Sequence, residues 1–255
     1  MNIKLLRLLT LAALAWSPSA AADDAVSQRT GAFTLSNTPQ DLLGDAAGKV
    51  ASIITPDETI SWEVYVPETY RANEPAGVIV FISPSDSGSI RRGWSGVIDE
   101  RNLIWIGANQ SGNRVFVPRR VLLSVLALAA IQQEYVLDEE RVYVAGFSGG
   151  GKVASMVSTE YANTFKGGVF MCGVEFWDVE QPRLIESIRG NRYVFLSGEH
   201  DHALESTKRS YRAYRNAGVQ NIKLLNVRNM GHEYPPRREL SKAIEFLDSG
   251  SLSTP

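Results

Sequence analysis

Val144-Ala145-Gly146-Phe147-Ser148-Gly149-Gly150-Gly151-Lys152 is the stretch on which the fold turns. Residues Gly146 to Gly150 fit the pattern G-x-S-x-G. The run before it, Arg141-Val142-Tyr143-Val144-Ala145, is short, β-branched and aromatic, and reads as a buried parallel strand. The run after it places Val153, Val157 and Tyr161 on one face of a helix. A strand that passes into a helix through a single serine forces that serine into a strained conformation. The flanking glycines let strand and helix approach without a Cβ clash. Ser148 would then stand at the carboxyl edge of a sheet with a helix N-terminus behind it, a position suited to a nucleophile.

The rest of the chain repeats the alternation. Gly77-Val78-Ile79-Val80-Phe81-Ile82-Ser83 and Leu103-Ile104-Trp105-Ile106-Gly107-Ala108 are continuous apolar runs, as strands covered on both faces require. Ile60 to Pro67 alternates with period two and stops at the proline, so an antiparallel edge hairpin strand is expected there. Alternating apolar residues also occur around Ile53-Ile54, after a polar stretch at 23–40. Residues 118–135 form an apolar helix, shorter than the roughly 20 residues of a membrane span, so it is expected to pack as a crossover. Beyond Ser148 come helix 150–162, strand 168–172, helix 181–189, strand 193–197, helix 204–217, strand 222–227 and helix 237–248. Strands alternating with helices imply an α/β fold with a mainly parallel sheet and helices on both faces. Sites in such sheets lie at the carboxyl ends of the strands.

The first 22 residues differ from the rest. Lys4 and Arg7 precede the apolar run Leu8 to Trp16, and small residues follow to Ala20-Ala21-Ala22. This three-part pattern predicts a secretory signal peptide over 1–22, with no cysteine after it for a lipid anchor. The protein is therefore expected to be exported, to the periplasm or the medium. Without that segment the net charge moves from −2 to −4, which argues against nucleic acid as a partner. Of 255 residues, 44% are hydrophobic and 21% charged, an ordinary globular balance. The remaining stretch, 23–255, is long enough to bury one large core, and one domain is expected. Cys172 is the single cysteine, so no internal disulfide can form.

A serine hydroxyl needs a base to take its proton, commonly a histidine oriented by a carboxylate. The three histidines, His200, His202 and His232, all follow Ser148. His232 lies in Gly231-His232-Glu233-Tyr234-Pro235, a loop just past the last predicted strand. The carboxylates lie in Gly198-Glu199-His200-Asp201-His202, after the strand ending at Ser197. Asp201 is the candidate acid and Glu199 its competitor, which gives the chain order Ser148, Asp201, His232.

Together these motifs resemble the α/β-hydrolase superfamily, and within it a secreted esterase group of polyhydroxybutyrate depolymerase-like and feruloyl esterase-like proteins. The local match is Asp138-x-x-Arg141-Val142-Tyr143-Val144-Ala145-Gly146-Phe147-Ser148-Gly149-Gly150-Gly151, followed by Tyr161-Ala162 and Phe165. In that group the acid often follows a strand as Gly-x-x-Asp, matched by Gly198 to Asp201, and the base sits in a Gly-His loop, matched by Gly231-His232. The resemblance covers roughly 45–248. It implies an α/β-hydrolase fold with little or no cap, and cleavage of carboxylic esters through an acyl-enzyme, with no cofactor and no metal. The oxyanion hole it implies needs two backbone N–H groups. One is that of Gly149. The other would come from the loop after 77–83, where the group commonly has His-Gly and this chain has Ser83-Pro84-Ser85-Asp86-Ser87-Gly88. Pro84 has no N–H, so Ser85 or a neighbour is the expected donor.

Other side chains have competing readings. His200-Asp201-His202 offers zinc donors, but no further Cys or His cluster accompanies them, and solvated loop histidines flanking an acid explain them. Cys172 reads as a buried strand residue. Phe176, Trp177 and Trp94 are candidates to line a substrate pocket, against core packing for the first two and a solvated rim with Arg91 and Arg92 for the third. The expected partner is a small-molecule or polymeric ester. A serine peptidase is the weaker catalytic alternative, because no peptide-recognition domain such as a propeller is expected. A binding protein that kept the fold without catalysis is the alternative from a different class, motivated by Ser-Pro in place of His-Gly. Between the strands at 168–172 and 193–197 only about twenty residues intervene, which leaves no long cap and an open pocket.

Overall fold

Continuous apolar runs make the centre of one eight-stranded sheet. The computed structural model describes residues 27–177 and 182–249, so the expected leader lies outside the described residues. In chain order the elements are β1 (Gly31–Asn37), α1 (Pro39–Leu43), a 3₁₀ helix (Gly44–Val50), β2 (Ile60–Val66), β3 (Ala76–Ile82), α2 (Ser95–Glu100), β4 (Leu103–Ala108) and α3 (Val117–Glu134). There follow β5 (Leu137–Phe147), α4 (Gly149–Glu160), β6 (Gly167–Met171), α5 (Pro182–Arg189), β7 (Arg192–Gly198), α6 (Leu204–Asn216), β8 (Ile222–Val227) and α7 (Arg237–Ser249). The strand order is β1-β2-β4-β3-β5-β6-β7-β8. β2 runs antiparallel to β1 and β4, and the remaining pairs are parallel.

The pleat divides the core in two. Val78, Val80 and Ile82 of β3 join Ile104 and Ile106 of β4 beneath α3 and α4. Ile79, Phe81, Leu103 and Trp105 face the other way, towards α2 and α7. Every residue of β3 and β4 is buried, because helices cover both faces of these strands. Trp62 of β2, fully buried, donates its Nε1–H to Leu123 O of α3 at 3.0 Å and anchors the antiparallel end of the sheet. No helix among the described residues is long and apolar enough to cross a membrane.

Three readings need correction. The polar stretch 23–40 contains β1, the true edge strand. Its alternation carries only Phe33 and Leu35 as large apolar groups, since one face is solvated. Ile60–Val66 is antiparallel as expected, but it lies second from the edge rather than at it. Ile53-Ile54 is not strand; it follows the 3₁₀ helix in a turn, with Ile54 in the core.

The strand–helix passage is tight. A Cβ on Gly146 would collide with the carbonyl of Gly150, and one on Gly150 would collide with the carbonyl of Ile82. These glycines let α4 begin directly over β3 and β5. Gly150→Ala is expected to push helix and strand apart and lower the unfolding free energy by about 1–3 kcal/mol, the usual range for overpacking. Urea titration followed by tryptophan fluorescence reads the change, and an unchanged midpoint would contradict so close a contact.

Candidate active site

Ser148 sits between β5 and α4 with φ 54° and ψ −123°, a conformation that few non-glycine residues adopt. The sheet enforces it: the Ser148 N–H donates to Met171 O of β6 at 2.8 Å, and the Ser148 carbonyl accepts the N–H of Lys152 at 3.3 Å. The hydroxyl is thereby turned off the strand's carboxyl end, half-exposed. Gly149 opens α4, where the helix itself offers no acceptor for the N–H.

The loop after β8 brings His232 over the serine. His232 Nε2 lies 2.9 Å from Ser148 Oγ, and its Nδ1 lies 2.8 Å from Asp201 Oδ1. A carboxylate only accepts, so Nδ1 carries the hydrogen and Nε2 presents its lone pair to the serine. Asp201 occupies the loop after β7, its side chain fully buried, while that of His232 is 28% exposed. The two loops lie against each other through the N–H of His200, which donates to Met230 O at 2.9 Å.

Burial alone would push the Asp201 carboxyl up. The N–H of Ala203 (2.8 Å), the hydroxyl of Ser197 (2.7 Å) and the ring of His232 donate to it, the Cys172 thiol lies beside it, and together they hold it below the usual carboxylate range. The acid is thus a fixed anion. Ser197 and Cys172 were not anticipated as its partners. Cys172, just past β6, is brought beside Asp201 by the pairing of β6 with β7, whereas Ser197 lies four residues before Asp201 and reaches it within the turn that follows β7.

The remaining candidates separate clearly. Glu199 Oε2 accepts the N–H of Asn229 at 3.1 Å and does not meet His232, which resolves the choice of carboxylate at the ring in favour of Asp201. The exposed ring of His202 lies tilted against that of His232, 4.2 Å between ring centres, with its Nδ1 3.6 Å from Asp201 Oδ1. Phe147 is buried beneath His232, 5.2 Å between ring centres, and stacks on Tyr234 at 4.0 Å. Trp94 is not among the residues that line the cavity beside Gly149. It is 3% exposed, donates Nε1–H to Pro235 O at 3.1 Å, and packs edge-on against Trp105 in the core on the α2 and α7 side. The apolar ring finds its partners there, and Arg91 lies instead over Tyr234 at 4.0 Å.

Phe176 and Trp177 line a cavity of about 390 Å³ beside Gly149, together with Asn113, Val117 and Arg120. Trp177 is fixed by its Nε1–H to Ser155 Oγ at 3.1 Å, and a Lys152–Glu175 ion pair of 2.6 Å stands at the wall. In the loop after β3, the Ser85 N–H donates to Ser83 Oγ at 3.1 Å. Arg120, buried in the first turn of α3, donates to Ser111 O at 2.7 Å and Ser83 O at 2.9 Å and so ties two loops together.

Among the described residues, the metal-ligating groups that converge are Cys172, Asp201 and His232, with ligand atoms within 4.8 Å of one another. That trio is organised around protons. His232 Nδ1–H donates to Asp201, and the Cys172 thiol, pushed up to about 12 by burial and by the Asp201 carboxylate, keeps its proton. His200 and His202 do not join the group.

No protein-family model and no curated protein matches this chain. Solved structures do. A ferulic acid esterase is 15% identical over 88% of this chain and all of its own, with a TM-score of 0.62. The feruloyl esterase module from Clostridium thermocellum, an S954A mutant complexed with sinapinate, is 13% identical over 92% of this chain and 94% of its own, TM-score 0.60. LpqC, a poly(3-hydroxybutyrate) depolymerase from Bordetella parapertussis, is 16% identical over 89% and 92%, TM-score 0.58. At such identities the likeness is one of architecture. The chain has the α/β-hydrolase fold, and these structures with the same fold are esterases.

Native Cys172 is expected not to react with a maleimide at neutral pH, because it is 1% exposed and protonated, and to react fully in denaturant. Thiol titration by mass spectrometry reads this, and rapid labelling of the folded protein would contradict the burial.

Proposed function

We propose that this protein is an exported serine hydrolase that cleaves carboxylic esters. The observation that carries the reading is the chain Asp201 Oδ1, His232, Ser148 Oγ, closed at 2.8 and 2.9 Å on a strained strand–helix turn beside a cavity. In the mechanism, Ser148 Oγ attacks the ester carbonyl while His232 Nε2 takes its proton. The buried Asp201 anion fixes the ring and stabilises its positive charge. The N–H of Gly149 donates to the developing oxyanion. His232 returns the proton to the departing alcohol, then activates a water that releases the acyl group.

Export is supported by the leader pattern in 1–22. Ester rather than peptide cleavage is supported by esterases aligned along nearly their whole length. By contrast, a putative dipeptidyl aminopeptidase IV from Bacteroides ovatus is covered over only 35% of its chain. The aromatic walls Phe176 and Trp177 and the cavity's size suit a short acyl or aryl group, or the end of a polymer.

A panel of p-nitrophenyl esters of increasing acyl length tests the reading. Ser148→Ala is expected to abolish turnover, and Asp201→Asn to lower kcat by about 10³–10⁴-fold by spoiling the ring's tautomer.

A further inference from the structure

The hydrolase reading, on which this inference rests, leaves the second oxyanion donor open. Ser85 was the expected source, but its N–H is committed to Ser83 Oγ at 3.1 Å, and the two hydroxyls are themselves 2.9 Å apart. Pro84 has no N–H to offer.

Another donor stands beside Gly149. A Cβ on Gly149 would collide with the carboxamide of Asn113, so that carboxamide fills the volume that a side chain following the nucleophile would otherwise occupy. Asn113 comes from the loop between β4 and α3. Its N–H donates to Pro84 O at 2.9 Å, which fixes it against the loop after β3. Arg120 holds both loops from beneath through the carbonyls of Ser111 and Ser83. The carboxamide itself lines the cavity and makes no hydrogen bond among the described residues. The helix start that presents the Gly149 N–H therefore has an uncommitted amide on its flank.

We propose that Asn113 Nδ2 is the second oxyanion donor, acting opposite the N–H of Gly149. As Ser148 Oγ bonds to the carbonyl carbon, its proton passes to His232 Nε2 and the C=O π pair moves onto the oxygen. That anion is held by Gly149 N–H and by one hydrogen of Asn113 Nδ2. Its collapse restores the C=O and breaks the bond to the alkoxy group, which leaves as the alcohol with the proton from His232. The carboxamide oxygen lies nearer to Gly149 than the nitrogen does, with no hydrogen bond among the described residues to hold it so. Rotation about Cβ–Cγ exchanges the ends, and a developing negative charge selects the NH₂ end and repels the oxygen. A side-chain donor also explains why Gly149 carries no side chain: any other residue would displace the amide.

Steady-state ester hydrolysis by the wild-type protein, Asn113→Ala and Asn113→Asp tests this, alongside inhibition by a trifluoromethyl ketone, whose adduct with Ser148 places an oxyanion in the hole. Asn113 is exposed, so both variants should fold, and circular dichroism checks that. Asn113→Ala is expected to lower kcat by about 10²–10³-fold with KM changed less than about threefold. The ketone's affinity should fall by a similar factor, and Asn113→Asp should do no better. A kcat within about threefold of wild type, or a loss confined to KM, overturns the assignment and returns the role to Ser85. Wild-type protein inert to every ester would overturn the hydrolase reading and this inference together. Active wild type with an indifferent Asn113→Ala would overturn this inference alone.

Discussion

The backbone of Ser148, held at a positive φ between β5 and α4, is the constraint on which the rest of the structure depends. A non-glycine residue there costs on the order of 1–3 kcal/mol and persists only where its surroundings over-determine it. They do so here. The Ser148 N–H is tied to β6, and α4 sits so close to β3 that Gly150 leaves no space for a methyl group above the Ile82 carbonyl. Relaxing the serine would mean lifting a helix off a sheet buried on both faces. One strained residue therefore fixes both the direction of its hydroxyl and the start of the helix whose first N–H faces the site.

The second requirement is electrostatic. A carboxylate buried as fully as Asp201 would normally take up a proton, yet its donors outnumber what burial takes away, and it stays ionised. In the proposed mechanism that fixed charge lets the imidazole accept a proton at little reorganisation cost. A comparable buried ion lies on the other side of the serine: Arg120, whose guanidinium spends its hydrogens on two loop carbonyls. The Asp201 anion orders the His232 ring and the Arg120 cation orders the loops that carry Ser83 and Ser111, so the site is braced by a charge of each sign.

What was legible in the sequence follows from burial. β3, β4 and the end of β5 are covered on both faces, so their apolar runs are unbroken and their positions were read almost to the residue. β1 has one solvated face and only two large apolar side chains, and it passed for a polar stretch. Ser148, Asp201 and His232 were legible because each follows a strand in a short Gly-containing loop and their order is restrictive. Trp94 was not, since a loop tryptophan can turn inward as readily as towards solvent, and here Pro235 O and Trp105 capture it. Arg120 and Asn113 could not be found from local pattern. Their meaning lies in contacts between loops that only the assembled sheet brings together, as when residue 113 meets residue 149.

The most direct test of the central claim is to treat the folded protein with a fluorophosphonate at neutral pH and locate the adduct by peptide mapping. A single phosphonyl group on Ser148, absent from Ser148→Ala, is the expected result. A folded wild-type protein that takes up no label, or takes it up on another serine, would contradict the assignment of Ser148 as the nucleophile.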